Sequence, residues 1–463
     1  MKIVLDAVEE KVCSILLQFS KEFALTGNPA VTLRFTGGWV RDKLLGRTSH
    51  DIDVAIDKST GEEFATGLHN YMVGKNLAET NVHKVAVNPE KSKHLETAMT
   101  RICGLDIDFV NLRSEEYASD SRVPSKITFG TPEEDAFRRD ATLNALFYNL
   151  TTDTVEDFTG RGLEDLKNGV LRTPLDPTET FRDDPLRVLR LLRFVGQLGF
   201  TVAPNTYAAM RGNLVGSSIQ SKVSGERVGK EIEKMLSSGH SVKAMQSLVD
   251  LDLARYVFSH QAESPKDHSI STSRDQLATR LTSMEWLIPQ LTDSLSAENK
   301  SILWLASLLQ DLPEEDVGII TQAGLKMTRL VKDGCLKLVR SAQLFDHLCE
   351  LYQADQLRRV DAGLYVRNCG ALWPLTIKFN AARLHSLKKD VTLAAKIERT
   401  IIGQGLEKAY ELKPLIAGKE LMTLLSLKPG PGIKKILDSE LEFQLQNPSI
   451  DKNDMIEWLK EQL

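Results

Sequence analysis

The chain has 463 residues, 42% of them hydrophobic, which is enough for a large core and more than one domain and excludes a small binding module. Its formal net charge of -5 at pH 7 argues against a protein that coats nucleic acid indiscriminately, while leaving room for local basic patches that hold a phosphate backbone. No apolar run approaches a membrane span, and the five cysteines (Cys13, Cys103, Cys335, Cys349, Cys369) show no CxxC pair and no regular spacing, so a reducing compartment is expected, with neither a zinc site nor a disulfide framework.

The N-terminal segment MKIVLDAVEEKVCSILLQF carries three acids in its first ten residues and reads as an amphipathic helix, not an export signal. Strand-like runs follow at Thr32–Phe35, Asp51–Ile56, Leu105–Leu112 and Val155–Phe158, alternating with helical patterns at Val12–Phe23 and Glu133–Tyr148. This half is expected to be α+β. Beyond about residue 175 no convincing alternating strand remains, only apolar residues at helical spacing, interrupted by Gly, Pro and Ser clusters near 199–205, 237–241, 262–274 and 428–432. The second half is expected to be helical. The most loop-like stretch, His260–Gln276, marks a candidate boundary between helical domains.

The chemistry begins in LRFTGGWVRDKLLGRTSHDIDVAID. Residues i and i+2 of a strand share a face, so Asp51 and Asp53 present two carboxylates side by side. Their mutual repulsion is relieved by a divalent cation, and hard oxygen ligands suit Mg²⁺; a pair of ions about 3.5–4 Å apart can stabilise the attacking and leaving oxygens of a phosphoryl transfer. Gly37 and Gly38 stand just before a helix expected from about Val40. Without side chains they let backbone N–H groups approach a triphosphate, and Arg41 adds charge. Either motif alone is also an ordinary turn or a solvated strand edge. Their combination, in this order within about twenty residues, points to metal-assisted nucleotidyl transfer.

GGWVRDKLLGRTSHDID resembles the signature of class II tRNA nucleotidyltransferases, the CCA-adding enzymes, and of their bacterial poly(A) polymerase relatives. The likeness continues in the family's order through RRDATLNALFYN, EDFTGRGLEDL, DDPLRVLRLLRF and SGERVGKEIEKML, covering about residues 30–240, while IAGKELM and KPGPGIKKIL look like the tail of eukaryotic, especially fungal, members. The resemblance implies a polymerase-beta-like α+β head (1–175), then an all-α neck that recognises the base (176–262), body (263–400) and tRNA-binding tail (401–463).

Residue by residue, it implies that Asp51 and Asp53 hold two Mg²⁺ ions and that a third carboxylate from GLDIDFVNLR joins them. Asp106 and Asp108 share a strand face there; the family pattern favours Asp108, followed by Arg113. Asp140 and Asn144 are spaced i, i+4, placing them on one face of the expected helix, and the resemblance assigns Arg139, Asp140 and Asn144 to the ribose and triphosphate. Asp184 before Pro185 suits a helix start. It also serves base chemistry. Cytosine and adenine each show an amino donor beside a ring acceptor, matching an aspartate beside an arginine, here Asp184 and Arg187. Guanine and uracil show the reverse order and would leave buried groups unpaired, at about 1–3 kcal/mol each. Asp183 stands where many bacterial members have Glu.

SEEYASDSRVPSKITFGTP, between Arg113 and Glu133, is polar and turn-rich; in CCA-adding relatives a flexible loop here assists the change from C to A, and its length favours full CCA synthesis over CC addition. Cations in Lys326–Lys337 and Lys388–Lys396, and Lys434 and Lys435, are solvated helix faces or salt-sensitive backbone contacts for tRNA. Nine histidines without HxxxH spacing argue against an attached phosphohydrolase domain. The expected partners are the acceptor end and upper half of tRNA, CTP and ATP, with no membrane and a monomeric state; the expected compartments are cytoplasm and nucleus, with a mitochondrial pool. A poly(A)-adding enzyme shares every head motif, and a non-catalytic RNA-binding descendant should have lost a metal carboxylate.

Overall fold

The computed structural model describes residues 3–49, 51–77, 83–85, 97–117, 124–261, 267–291, 295–426 and 430–462. They divide into two compact units, Met1–Val257 and Phe258–Leu463.

The first unit opens with α1 (Ala7–Leu25), whose start is fixed by a capping box between Asp6 and Glu9. Then come β1 (Leu33–Thr36), α2 (Gly38–Leu44), β2 (Asp51–Ile56), α3 (Gly61–Gly74), β3 (His83–Val85), β4 (Thr97–Ile102), β5 (Leu105–Asn111), β6 (Arg113–Tyr117), β7 (Pro124–Phe129), α4 (Pro132–Phe137), β8 (Phe147–Asn149) and β9 (Thr154–Glu156). Seven strands form one mixed sheet in the order β3-β4-β5-β2-β1-β8-β9. The central pair β2 and β5 is parallel, and β1 runs antiparallel to both of its neighbours.

Alternation along β2 and β5 decides which face is covered. Ile52, Val54, Ile107 and Phe109 are buried beneath the sheet, while Asp51 and Asp106 are exposed and Asp53 and Asp108 half-buried on the other face. The covered face packs on α1 and α3 through Phe19, Phe23, Phe64 and Phe109, with ring centroids 5.0–5.5 Å apart for the contacts made by Phe64.

The helix expected over Glu133–Tyr148 is not one element. α4 ends at Phe137, residues 142–144 form a short 3-10 turn and Phe147–Asn149 is a strand. Two interactions outweigh the helical spacing: the side chains of Arg138 and Arg139 fold back onto the buried Asp135, and Phe147 and Tyr148 pair with Thr36 and Phe35 of β1. The polar stretch after Arg113 contains the antiparallel hairpin β6–β7; residues 118–123, the middle of the expected loop, lie outside the described residues.

The unit continues through α5 (Gly162–Asn168), β10 (Val170–Leu171), α6 (Pro177–Asp183), α7 (Leu186–Leu198), β11 (Thr201–Val202), α8 (Pro204–Ala209), α9 (Asn213–Lys222), α10 (Gly225–Leu236), α11 (Ser241–Asp250) and α12 (Ala254–Val257). Almost every side chain of α7 is buried, Arg187 and Arg193 included.

Among its described residues the second unit is helical apart from the short hairpin β12 (Ser259–Gln261) and β13 (Asp267–Ser269), which flanks residues 262–266 outside the described set. Among the described residues of the stretch that composition marks as loop are this hairpin and, from Arg274, the start of a helix. One core joins the helices spanning Phe345 to Ala409 with Leu445, and a smaller one gathers Ile416, Leu421, Met455 and Leu459 near the C-terminus. All five cysteines are free. No helix among the described residues is long and apolar enough to cross a membrane.

Phe109 is fully buried immediately beside Asp108. Phe109→Ala is expected to destabilise the first unit by about 3–5 kcal/mol in urea unfolding; a loss below about 1 kcal/mol would show that the aromatic layer does not support the sheet.

Candidate active site

Because β1 is antiparallel to β2, the end of β1 lies beside the beginning of β2, and Thr36 pairs with Asp53. The next residue, Gly37, turns the chain into α2 with φ +70°, a conformation that favours glycine. A Cβ on Gly37 would stand 3.2 Å from Asp53 Oδ2 and 3.4 Å from Arg139 Nη1, so the turn, the carboxylate and the guanidinium enclose one small space. α2 begins at Gly38, two residues earlier than the sequence pattern suggests, and no acidic side chain occupies its first turn.

The parallel register of β2 and β5 pairs Asp51 with Asp106 and Asp53 with Asp108. Four carboxylates therefore belong to one face at one end of the sheet. Asp106 is exposed and reaches Arg101 at 3.6 Å, whereas Asp108 is the direct neighbour of Asp53. Burial pushes the Asp53 carboxyl above its ordinary range, Arg139 pulls the other way, and Asp51 adds to the upward push. Among the described residues no three His, Cys, Asp or Glu side chains are already drawn together around a metal-sized gap. The donors nonetheless fit a divalent cation: they are hard oxygens, and a positive charge would relieve the repulsion that acts on Asp53.

The other strand pairing of β1 explains the remaining residues. Thr36 pairs with Phe147, so the turn ahead of β8 arrives at the same sheet end as Gly37. Arg139 donates from Nη1 to the Asn144 carbonyl at 3.0 Å and from Nη2 to Asp135 Oδ2 at 2.8 Å. Arg41 donates from Nη1 to Asn144 Oδ1 at 2.8 Å, and Asn144 Nδ2 donates to Asp140 Oδ1 at 3.1 Å. Asp140 and Asn144 thus do meet, through a turn rather than on a helix face. The Arg113 backbone N–H donates to Asp135 Oδ1 at 3.3 Å, tying the base of the β6–β7 hairpin to the same hub.

Asp184 lies on the approach to α7 and Arg187 in its first turn. Pro185 holds the helix cap position, and Asp184, extended just before it, accepts the Leu186 N–H at 3.2 Å through Oδ1. Its Oδ2 accepts from Arg227 Nη2 at 3.1 Å. A carboxylate offers about four lone-pair sites, so both oxygens keep capacity to accept from a base amino group.

Several charged residues go unassigned by sequence reasoning. Asp135, 1% exposed, binds both Arg138 and Arg139; burial raises its carboxyl, but the two guanidinium groups more than offset this and hold it below the usual range. Arg190 donates from Nε to Asp140 Oδ2 at 2.6 Å, and its Nη1 lies 3.9 Å from Glu231 Oε1. Arg193 Nη1 lies 3.3 Å from Glu231 Oε2. The readable signal was the i, i+4 spacing of Arg227 and Glu231 within SGERVGKEIEKML, which puts both on the face of α10 that meets α7.

Burial would raise the Asp140 carboxyl, but Arg190 and the Asn144 amide hold it well below the ordinary carboxylate range. A depressed carboxyl contributes stability at pH above its unfolded value, lost as pH falls toward the folded one. Asp140→Asn is therefore expected to destabilise the first unit near neutral pH by about 1–3 kcal/mol, discounted because Arg190 is part-exposed. The gap to the wild type should close as urea unfolding is repeated below pH about 4; a gap independent of pH would discard the ion-pair explanation.

Residues 33–172 match the model of the Poly A polymerase head domain, and residues 199–264 match one described as a probable RNA and SrmB-binding site of polymerase A. The CCA tRNA nucleotidyltransferase, mitochondrial, of Saccharomyces cerevisiae is 39% identical, over 99% of this chain and 94% of its own length. In fold, the chain is similar to the Bacillus stearothermophilus CCA-adding enzyme in complex with CTP, with a TM-score of 0.69, 22% identity and 99% and 98% of the two chains covered. It is similar also to the Thermotoga maritima CCA-adding enzyme complexed with tRNA, with a TM-score of 0.63, 20% identity and 99% and 96% covered.

Proposed function

The chain belongs to the CCA tRNA nucleotidyltransferase family, and from that membership we propose that it adds C, C and A to tRNA 3′ ends from CTP and ATP, releasing pyrophosphate without a nucleic-acid template. The observation that carries this reading is the in-register pairing of Asp53 with Asp108 beside the Gly37 turn. It supplies carboxylates, backbone N–H groups and a guanidinium within one space, the set that phosphoryl transfer requires.

In this mechanism the tRNA 3′-hydroxyl attacks the α-phosphorus of the incoming nucleotide. Asp108 orients the hydroxyl and accepts its proton, with Asp106 outside the reacting set. The Gly37 and Gly38 backbone and Arg41 hold the triphosphate, Arg113 joins them in binding the nucleotide, and Arg139, Asp140 and Asn144 hold sugar and phosphates. Asp184 accepts from the amino group of cytosine or adenine while Arg187 donates to the neighbouring ring nitrogen, so uracil and guanine are rejected by the groups they leave unpaired. Asp51 and Asp53 would hold Mg²⁺, two ions in the full complement, which supplies charge stabilisation to the phosphate oxygens and the departing pyrophosphate.

The functional division proposed is a catalytic head over 1–175, a base-reading neck over 176–262, a body over 263–400 and a tRNA-binding tail over 401–463. The likeness to an enzyme solved with tRNA supports tRNA as the polymer substrate. Lys332 and Arg329 pair with Asp333, Arg340 with Glu314 and Lys396 with Asp390, so a tRNA backbone would exchange these partners for phosphates on binding. A single chain is the proposed acting unit. The mitochondrial designation of the yeast relative supports a mitochondrial pool beside a cytoplasmic and nuclear one.

The deciding assay supplies tRNA lacking its 3′ CCA with CTP, ATP or both and sequences the ends. Addition of C, C and A is expected; a long A tail or no addition would overturn the reading, and arrest after two C residues would assign the CC-adding activity instead. Asp53→Ala is expected to lower transfer by at least about three orders of magnitude while the melting temperature stays near the wild-type value. Retained activity would remove Asp53 from the metal site.

A further inference from the structure

We propose that Arg190 is a positioning residue that fixes the base-reading helix against the ribose and phosphate site, and thereby sets how strictly C and A are chosen over U and G. The inference rests on the CCA-adding reading above. Arg190 follows Arg187 by three residues on α7, so the two side chains leave the same side of the helix one turn apart. Arg187 is the base reader of the proposed mechanism. Arg190 instead points to the head, where its Nε meets Asp140 Oδ2 at 2.6 Å. The other Asp140 oxygen takes Asn144 Nδ2, and Asn144 Oδ1 takes Arg41 Nη1. Four side chains therefore form one unbroken line from the triphosphate turn to the helix that reads the base.

The far side of Arg190 is held as well. Glu231 of α10, 6% exposed, stands 3.9 Å from Arg190 and 3.3 Å from Arg193, leaving the guanidinium between two carboxylates. A planar guanidinium fixes direction as well as distance, which an ammonium does not.

Selectivity follows from that rigidity. Rejection of U and G depends on leaving donor facing donor and acceptor facing acceptor, and a reader free to shift could avoid this by moving or by admitting a water. In the proposed mechanism the attack on the α-phosphorus is carried by β2 and β5 while the base is read at the start of α7, so transfer of the correct nucleotide depends less on exact placement of the helix. Loosening Arg190 should lower discrimination more than transfer of the correct nucleotide.

The test measures kcat/KM for CTP and UTP on tRNA lacking CCA, and for ATP and GTP on tRNA ending in CC, with the wild type, Arg190→Met and Arg190→Lys. Arg190→Met is expected to reduce the CTP/UTP and ATP/GTP ratios by about tenfold or more, with Arg190→Lys lying between it and the wild type. A merely structural role would lower all four constants by one common factor, and that result, or unchanged ratios, overturns the proposal. If Arg190→Met does not fold, the ratios of Arg190→Lys decide alone: reduced ratios support the assignment and wild-type ratios overturn it. A wild type that itself fails to distinguish C from U would instead defeat the CCA-adding reading, an outcome separable from failure of the Arg190 assignment.

Discussion

Like charges in register are the condition around which the first unit is built. Parallel pairing of β2 and β5 brings Asp53 against Asp108 and Asp51 against Asp106, and the burial of Ile52, Val54, Ile107 and Phe109 leaves the strands no freedom to slip. A one-residue slip of either strand would exchange its two carboxylates for apolar side chains on the open face. The sheet thus fixes an electrostatic cost that the surroundings must answer. Arg139 answers part of it, as the downward pull on Asp53 shows. A divalent cation would answer the rest.

The same pairing logic organises the cations. β1 places the Gly37 turn beside Asp53 through one edge and draws the Arg139–Asn144 turn in through the other. Positive groups are then distributed by buried acids that react with nothing: Asp135 fixes Arg139, Asp140 fixes Arg190, and Glu231 stands behind Arg190 and Arg193. Each of these acids is nearly inaccessible, which makes its partner's position costly to change.

What was legible in the sequence follows from this distinction. β2 was placed to the residue and β5 to within one, because charged and apolar residues alternate over Asp51–Val54 and Leu105–Phe109 and β-branched or aromatic residues continue each run. The mixed sheet followed by a helical remainder was legible for the same reason. The stretch after Arg138 was not, since Leu143, Leu146 and Phe147 fit helical spacing equally well and only pairing with β1, a contact spanning more than a hundred residues, selects the strand. Two-residue strands such as β10 and β11 leave no periodicity to detect. Of the site residues, those tied to a motif were nameable in advance. Asp135 and Arg190 were not, because an acid or arginine that will be buried looks on paper like any solvated one, and the partners of Arg190, Asp140 and Glu231, lie on other elements.

The separation of Asp184 and Arg187 from the sheet bears on how such an enzyme can change through descent. In the proposed mechanism nucleotide choice rests on Asp184 and Arg187 at the start of α7 and the reaction on β2 and β5, segments whose sequences do not overlap. Substitutions on the helix can therefore alter which letter is added while the phosphate chemistry remains available to be retained by selection. A lineage of this architecture is free to divide the labour of tail synthesis between duplicated copies, each keeping the same sheet and differing in the reader.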